Sequence, residues 1–166
     1  MSEPLEVLCC YAREDREMMM QLKKYLTPLE KLGQITIWSD IDVNAGEAWD
    51  QELQQHLESA DIILLLLSPD FLAADYCYSA EMQRIMQRHA QGSATVIPIV
   101  LRVVHLTGMP FANLQRLPRA GRPINKWPDR DDVFHDILGE LNQVIARIQM
   151  ERLRAQMKRP APPESS

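Results

Sequence analysis

Glycine is scarce in this chain, and its scarcity removes whole classes of chemistry. Six glycines lie scattered at positions 33, 46, 92, 108, 121 and 139. Neither G-x-G-x-x-G nor G-x-x-x-x-G-K-[ST] occurs, so no glycine loop cradles a pyrophosphate. Cysteine is sparser still. Cys9, Cys10 and Cys77 make an odd count, with no C-x-x-C pair and no histidine at ligand spacing, which argues against a zinc or other metal site. Adjacent Cys9 and Cys10 in a strand point to opposite faces, so buried reduced thiols are expected. His56, His89, His105 and His135 have no G-x-S-x-G elbow to serve. The longest strongly apolar run, Ile62–Leu67, is far too short to cross a bilayer. The N-terminus, MSEPLEVL, lacks the basic and apolar regions of a signal peptide. A net charge of −5 argues against a dedicated nucleic-acid binder. A soluble, cytoplasmic protein without nucleic-acid or membrane partners is expected.

What is present is an ordinary globular composition, 46% hydrophobic and 25% charged, and 166 residues suffice for one self-sufficient core. Strand and helix signals alternate. Leu5–Tyr11 reads as a first strand, and Glu14–Leu32 as a helix stopped by Gly33, with Pro28 expected to kink it or end it early. Gln34–Trp38 reads as strand two, Ser39–Gly46 as a polar loop and Glu47–Ser59 as an amphipathic helix. Strand three is Asp61–Leu67. After a polar, aromatic elbow a helix runs from about Tyr76 to His89. Thr95–Leu101 is strand four, where Pro98 suggests an edge or a bulge. An irregular stretch follows, then a short strand at Arg122–Asn125. The last helix, about Asp131–Met157, carries Val133, Ile137, Leu141, Val144, Ile145 and Ile148 as one stripe. The pattern predicts an α/β fold: a flavodoxin-like five-stranded parallel sheet with helices on both faces. Residues 1–150 form the domain; 151–166 read as a charged helix end and a Pro-rich disordered tail or linker.

Within this frame one acid stands out. The strand Ile62–Leu67 ends in Ser68-Pro69-Asp70, and Glu81 falls in the opening turns of the next helix. That places a carboxylate at the carboxyl edge of a parallel sheet, where open α/β folds keep their ligand crevice. Taken alone, such a glutamate is most often a solvated residue paired with Arg84 at i+3. A phosphoacceptor receiver domain is similar only in its acids after strand one, Glu14 and Asp15. Its acceptor aspartate would stand at the end of strand three, where this chain has Ser68, and Asp70 lies two residues too far on.

Three separated segments fit another family together. VLCCYARED (Val7–Asp15) resembles the first box of Toll/interleukin receptor (TIR) domains. WSDIDVNAGEAW (Trp38–Trp49) resembles the end of strand two and the BB loop. SPDFLAADYCYSAEM resembles the exit of strand three and the helix that bears the family's glutamate. VIPIVLR and PINKWPDRDDVFHDI are similar to bacterial members, and the resemblance spans about residues 4–148.

Many bacterial TIR domains are similar to NAD-cleaving enzymes, so the resemblance implies NAD+ nucleosidase activity in defence or signalling. NAD+ would be the substrate, with no cofactor. By position it makes Glu81 the catalytic carboxylate. Tyr11, Ala12 and Arg13 become the substrate-side turn, with Arg13 suited to phosphate. Asp42, Asn44 and Trp49 lie in or beside the BB loop, although Trp49 also suits a core position and Asp42 a turn. Ser68 is placed at the sheet edge, and Cys77 and Tyr78 one helical turn before Glu81, on its face. The family often has Trp four residues before the glutamate. Cys77 stands there in this chain, flanked by Tyr76 and Tyr78. The resemblance also implies self-association through TIR–TIR contacts and a fused or associated sensor domain. The alternative it leaves open is a non-enzymatic scaffold that recruits partners.

Overall fold

The computed structural model describes residues 3–39 and 49–158. The polar loop with Asp42 and Asn44, the side chain of Trp49 and the Pro-rich tail lie outside the described residues. Four parallel strands form one sheet in the order β2-β1-β3-β4: β1 (Leu5–Cys10), β2 (Ile35–Ser39), β3 (Ile62–Leu67) and β4 (Thr95–Val100). Every residue of β3 is buried, which explains its unbroken apolar run: a central parallel strand is covered on both faces.

Alternation along the strands sends side chains into two layers. Val7, Leu64 and Ile99 meet α1 (Arg16–Lys31) and α5 (Arg130–Met157) through Met19, Leu22, Phe134 and Ile137. Leu8, Ile63 and Leu65 face the other way, onto α2 (Trp49–Ser59) and α4 (Ala80–Gln91) through Leu57, Met82 and Ile85. The connection from β1 therefore turns to one face and that from β3 to the other. The chain order reverses between these adjacent strands, so their carboxyl ends form the switch point at which open α/β folds keep a ligand crevice.

Three expectations change. Helix α1 does not end at Pro28 but runs on to Lys31, and the Pro28 carbonyl accepts the Leu32 N–H at 3.0 Å. A proline in the last turn removes one bond while leaving the following residues free to stay helical. Gly33, at φ 76°, then turns the chain out of the helix.

The strand expected at Arg122–Asn125 is absent from the sheet. Leu117 makes a lone bridge to Ile99 instead, and Ile124–Lys126 form a 3-10 turn. Pro118 and Pro123 flank this segment, and neither has an N–H to give a ladder. Ile124 is nonetheless fully buried, so its apolar signal reflects core filling without strand pairing. Pro98 does sit on an edge strand. Its carbonyl and the Val100 N–H both reach outward to Leu117, at 2.9 and 2.8 Å, so the donor missing from Pro98 lies on the outer side.

The third change concerns the approach to Glu81. A short helix α3 (Pro69–Ala73) and a 3-10 turn at Asp75–Tyr78 occupy the elbow, and α4 starts only at Ala80. Two serines set these boundaries. Ser68 Oγ accepts the Phe71 N–H at 3.1 Å to cap α3, and Ser79 Oγ accepts the Met82 N–H at 3.3 Å to cap α4.

Candidate crevice at the carboxyl edge of the sheet

The turn leaving β1 brings a buried carboxylate to the carboxyl edge of the sheet. Tyr11 is half-buried, Ala12 buried and Arg13 exposed at the start of a 3-10 turn, Arg13–Asp15. Asp15 folds back so that its N–H reaches the Ala12 carbonyl at 2.8 Å, and its side chain is buried. Ser68, at the end of β3, donates its hydroxyl to Asp15. Arg102, just past β4, donates to Asp15 at 2.9 Å and to Asp70 at 2.6 Å. The Asp70 hydrogen bond, with Asp15 close by, holds the Arg102 guanidinium pKa above its ordinary value. The ends of β1, β3 and β4 are thus tied by one ionic network in which Asp15 is the buried member.

Ser68 is fully buried, its hydroxyl shared between Asp15 and the α3 cap. Its hydroxyl is therefore committed within the fold.

Glu81 stands in the first turn of α4, half-buried, where the helix dipole favours an anion. Gln54, on α2, donates its side-chain amide to Glu81 Oε1 at 3.2 Å. The expected partner, Arg84, is engaged elsewhere. Its Nε and Nη2 each meet a Glu58 oxygen at 2.8 Å, and its Nη1 meets Gln87 at 2.9 Å. That arginine holds the Glu58 carboxyl below its usual pKa.

Cys77 and Tyr78 do not lie on the helical face of Glu81, because the Ser79 cap separates their 3-10 turn from α4. Cys77 is buried against Phe71, its thiol directed at the Phe71 carbonyl at 2.9 Å, and burial pushes its pKa up to about 11. It packs in the core. Tyr78 is exposed and donates its hydroxyl to the Leu72 carbonyl at 3.0 Å.

Two groups of this edge were not singled out in the sequence. Gln54 sits in a polar stretch of α2 with nothing local to mark it. Arg102 carried a usable signal, as the cation that closes the apolar run of strand four.

The family model described as "TIR domain" matches residues 7–130, a stretch that holds the β1 turn, the Asp15 network and Glu81. The chain belongs to the TIR domain family. A relative from Sinorhizobium fredii, "Uncharacterized protein y4lF", is 42% identical over 142 residues, which are 86% of this chain and 44% of that protein. The chain thus spans less than half the length of this curated relative. Among solved structures, the TIR domain of the Toll-related receptor TRR-2 from Hydra magnipapillata superposes with a TM-score of 0.56. Its identity is 23%, with 84% of this chain and 97% of that one covered. The TIR domains of the activated Roq1 resistosome, which recognises the pathogen effector XopQ, give a TM-score of 0.60 at 14% identity. There 82% of this chain and 99% of that one are covered. At such identities the two structures show the shared TIR fold. In this TIR domain, as described, no helix is long and apolar enough to cross a membrane.

Proposed function

We propose that this TIR domain cleaves the nicotinamide–ribose bond of NAD+, with Glu81 as the catalytic carboxylate. The supporting observation is the setting of Glu81. It lies in the first turn of α4, the helix that follows β3, and is oriented by a neutral amide, while Arg84 is engaged by Glu58. Most glycosidases use two carboxyl groups, one of which protonates the leaving oxygen. In NAD+ the nicotinamide ring already carries the positive charge. When the C1′–N bond breaks, the electron pair returns to that nitrogen, and a neutral pyridine leaves without a proton. The remaining task is to stabilise the positive charge that develops on the ribose and to hold its hydroxyls. A preorganised carboxylate does both. Water then adds to C1′ and releases a proton, giving ADP-ribose; attack by a group of the same molecule gives a cyclised product.

Arg13, exposed after β1, is the proposed phosphate contact. Tyr11 and Ala12 supply the turn beside it, and Asp42, Asn44 and Trp49 remain the proposed contacts from the BB loop. Ser68 and Cys77 act from within the fold. Activity is proposed to need TIR–TIR contacts, in cytoplasmic defence or signalling. The 44% coverage of the Sinorhizobium relative is consistent with a sensor elsewhere in the protein.

A scaffold role is the second reading. It draws on Cys77, which occupies the family's usual Trp position and is buried, so that position offers no aromatic surface. Concentrated or artificially clustered protein is incubated with NAD+, and nicotinamide release is followed. Release by wild type that is lost in Glu81→Ala is expected; clustered wild type that releases none would favour the scaffold.

A further inference from the structure

Glu81 and Arg84 are three residues apart on α4, the spacing at which a glutamate and an arginine ordinarily pair. Here the arginine is turned to the neighbouring helix. Its Nε, Nη1 and Nη2 all have partners, two of them the oxygens of Glu58. Gln54 and Glu58 are spaced i,i+4 and share one face of α2. That face presents a neutral amide to Glu81 and a carboxylate to Arg84. The register of the two helices is fixed one turn on by Arg88, buried at 5% exposure, which donates to the Leu57 carbonyl at 2.6 Å and the Ser93 carbonyl at 2.8 Å.

We propose that Glu58 is a positioning residue for the crevice: its bidentate grip on Arg84 keeps a cation off Glu81, while Gln54 orients the Glu81 carboxylate without neutralising it. The inference rests on the NAD+-cleaving role of Glu81. A bidentate guanidinium is the strongest side-chain competitor for a carboxylate, in energy and in geometry. Laid against Glu81, it would offset the negative charge on which a developing ribosyl cation depends. A glutamine amide fixes the rotamer and leaves the charge in place. The Glu58–Arg84 pair is exposed, with side chains 51% and 39% accessible. Such pairs add little to stability. The grip therefore matters for where Arg84 points, and its loss leaves the fold intact.

The test compares clustered wild type with Glu58→Gln, Arg84→Ala and the double variant, following nicotinamide release over a range of NAD+ concentrations. Glu58→Gln is expected to lower kcat about twofold with little change in KM, the scale of an exposed helix pair at this spacing. Arg84→Ala and the double variant are expected to stay near wild type, because removing the cation rescues the loss of its keeper. If the ion pair served only to hold the helices together, all three variants would be equally impaired, and that pattern overturns the proposal.

A second readout does not depend on activity. In Glu58→Gln protein, the Arg84 Nε–H resonance should move when Glu81→Gln is added; in a wild-type background it should not. A resonance insensitive to Glu81 in both backgrounds overturns the proposal whatever the assay shows. If the coupling appears but clustered wild type releases no nicotinamide, the NAD+ reading fails and the control of Arg84 by Glu58 stands.

Discussion

Replacing Ser68 by alanine removes one buried oxygen that does two jobs. It donates to the Asp15 carboxylate and caps α3 by accepting the Phe71 N–H. Loss of a serine cap costs about 1 kcal/mol, and loss of a hydrogen bond to a charged group costs roughly 1.5–3 kcal/mol. Asp15 keeps Arg102 as a partner, which holds the sum near 3 kcal/mol rather than the roughly 3–5 kcal/mol of a fully broken buried pair. For a domain of this size that corresponds to a fall in Tm of roughly 6–12 °C. Urea unfolding of wild type and Ser68→Ala gives the difference directly. Asp15→Asn provides the internal check, because partners in one network are not additive, and the double variant should lose about 1 kcal/mol less than the sum of the singles. A change below about 0.5 kcal/mol, the range of surface substitutions, would refute the buried network. So would wild-type stability combined with lost NAD+ cleavage, since the hydroxyl would then be facing substrate.

Burial raises the Cys77 thiol to about 11, so the folded protein holds its proton after the unfolded chain has lost it. The stabilisation is complete below the unfolded value near 9 and is lost as pH rises towards 11. The stability advantage of wild type over Cys77→Ala should therefore shrink over that interval in pH-dependent urea melts; a constant difference would contradict the burial argument. Phe134→Ala empties a side chain that is 1% exposed and stacks on Tyr25 at 5.0 Å, so a loss of about 3–5 kcal/mol is expected by the same melts. A loss under about 1 kcal/mol would mean that α5 does not pack on the sheet as described.

The parts of the fold that were legible in the sequence are those whose signal is local. Ile62–Leu67 reads as a buried parallel strand because both its faces are covered, and Gly33 marks the end of α1 because a left-handed turn needs no neighbour to explain it. The errors arise where one local pattern serves two structures. Apolar Ile124 between prolines looks like a strand, yet it fills the core from a 3-10 turn. Cys77 stands four residues before Glu81, which is one turn in a continuous helix; a single serine cap at Ser79 breaks that helix and sends Cys77 inward. Glu81 itself was visible through its place after strand three. Its surroundings were not, because Gln54 lies 27 residues away along the chain, and Arg102 lies 87 from Asp15. Such contacts are set by helix docking and by the turns between strands, and neither leaves a mark in the local pattern.

Nicotinamide release from NAD+ by clustered wild type and by Glu81→Gln tests the central claim most directly. Gln keeps the size of the side chain and can still meet a neighbouring amide, so the comparison isolates the charge. Removing a single preorganised electrostatic contact typically slows catalysis by about 10²–10³. The account predicts a loss of that order in kcat with the fold unchanged. Equal release by the two proteins would show that the Glu81 carboxylate takes no part in breaking the bond.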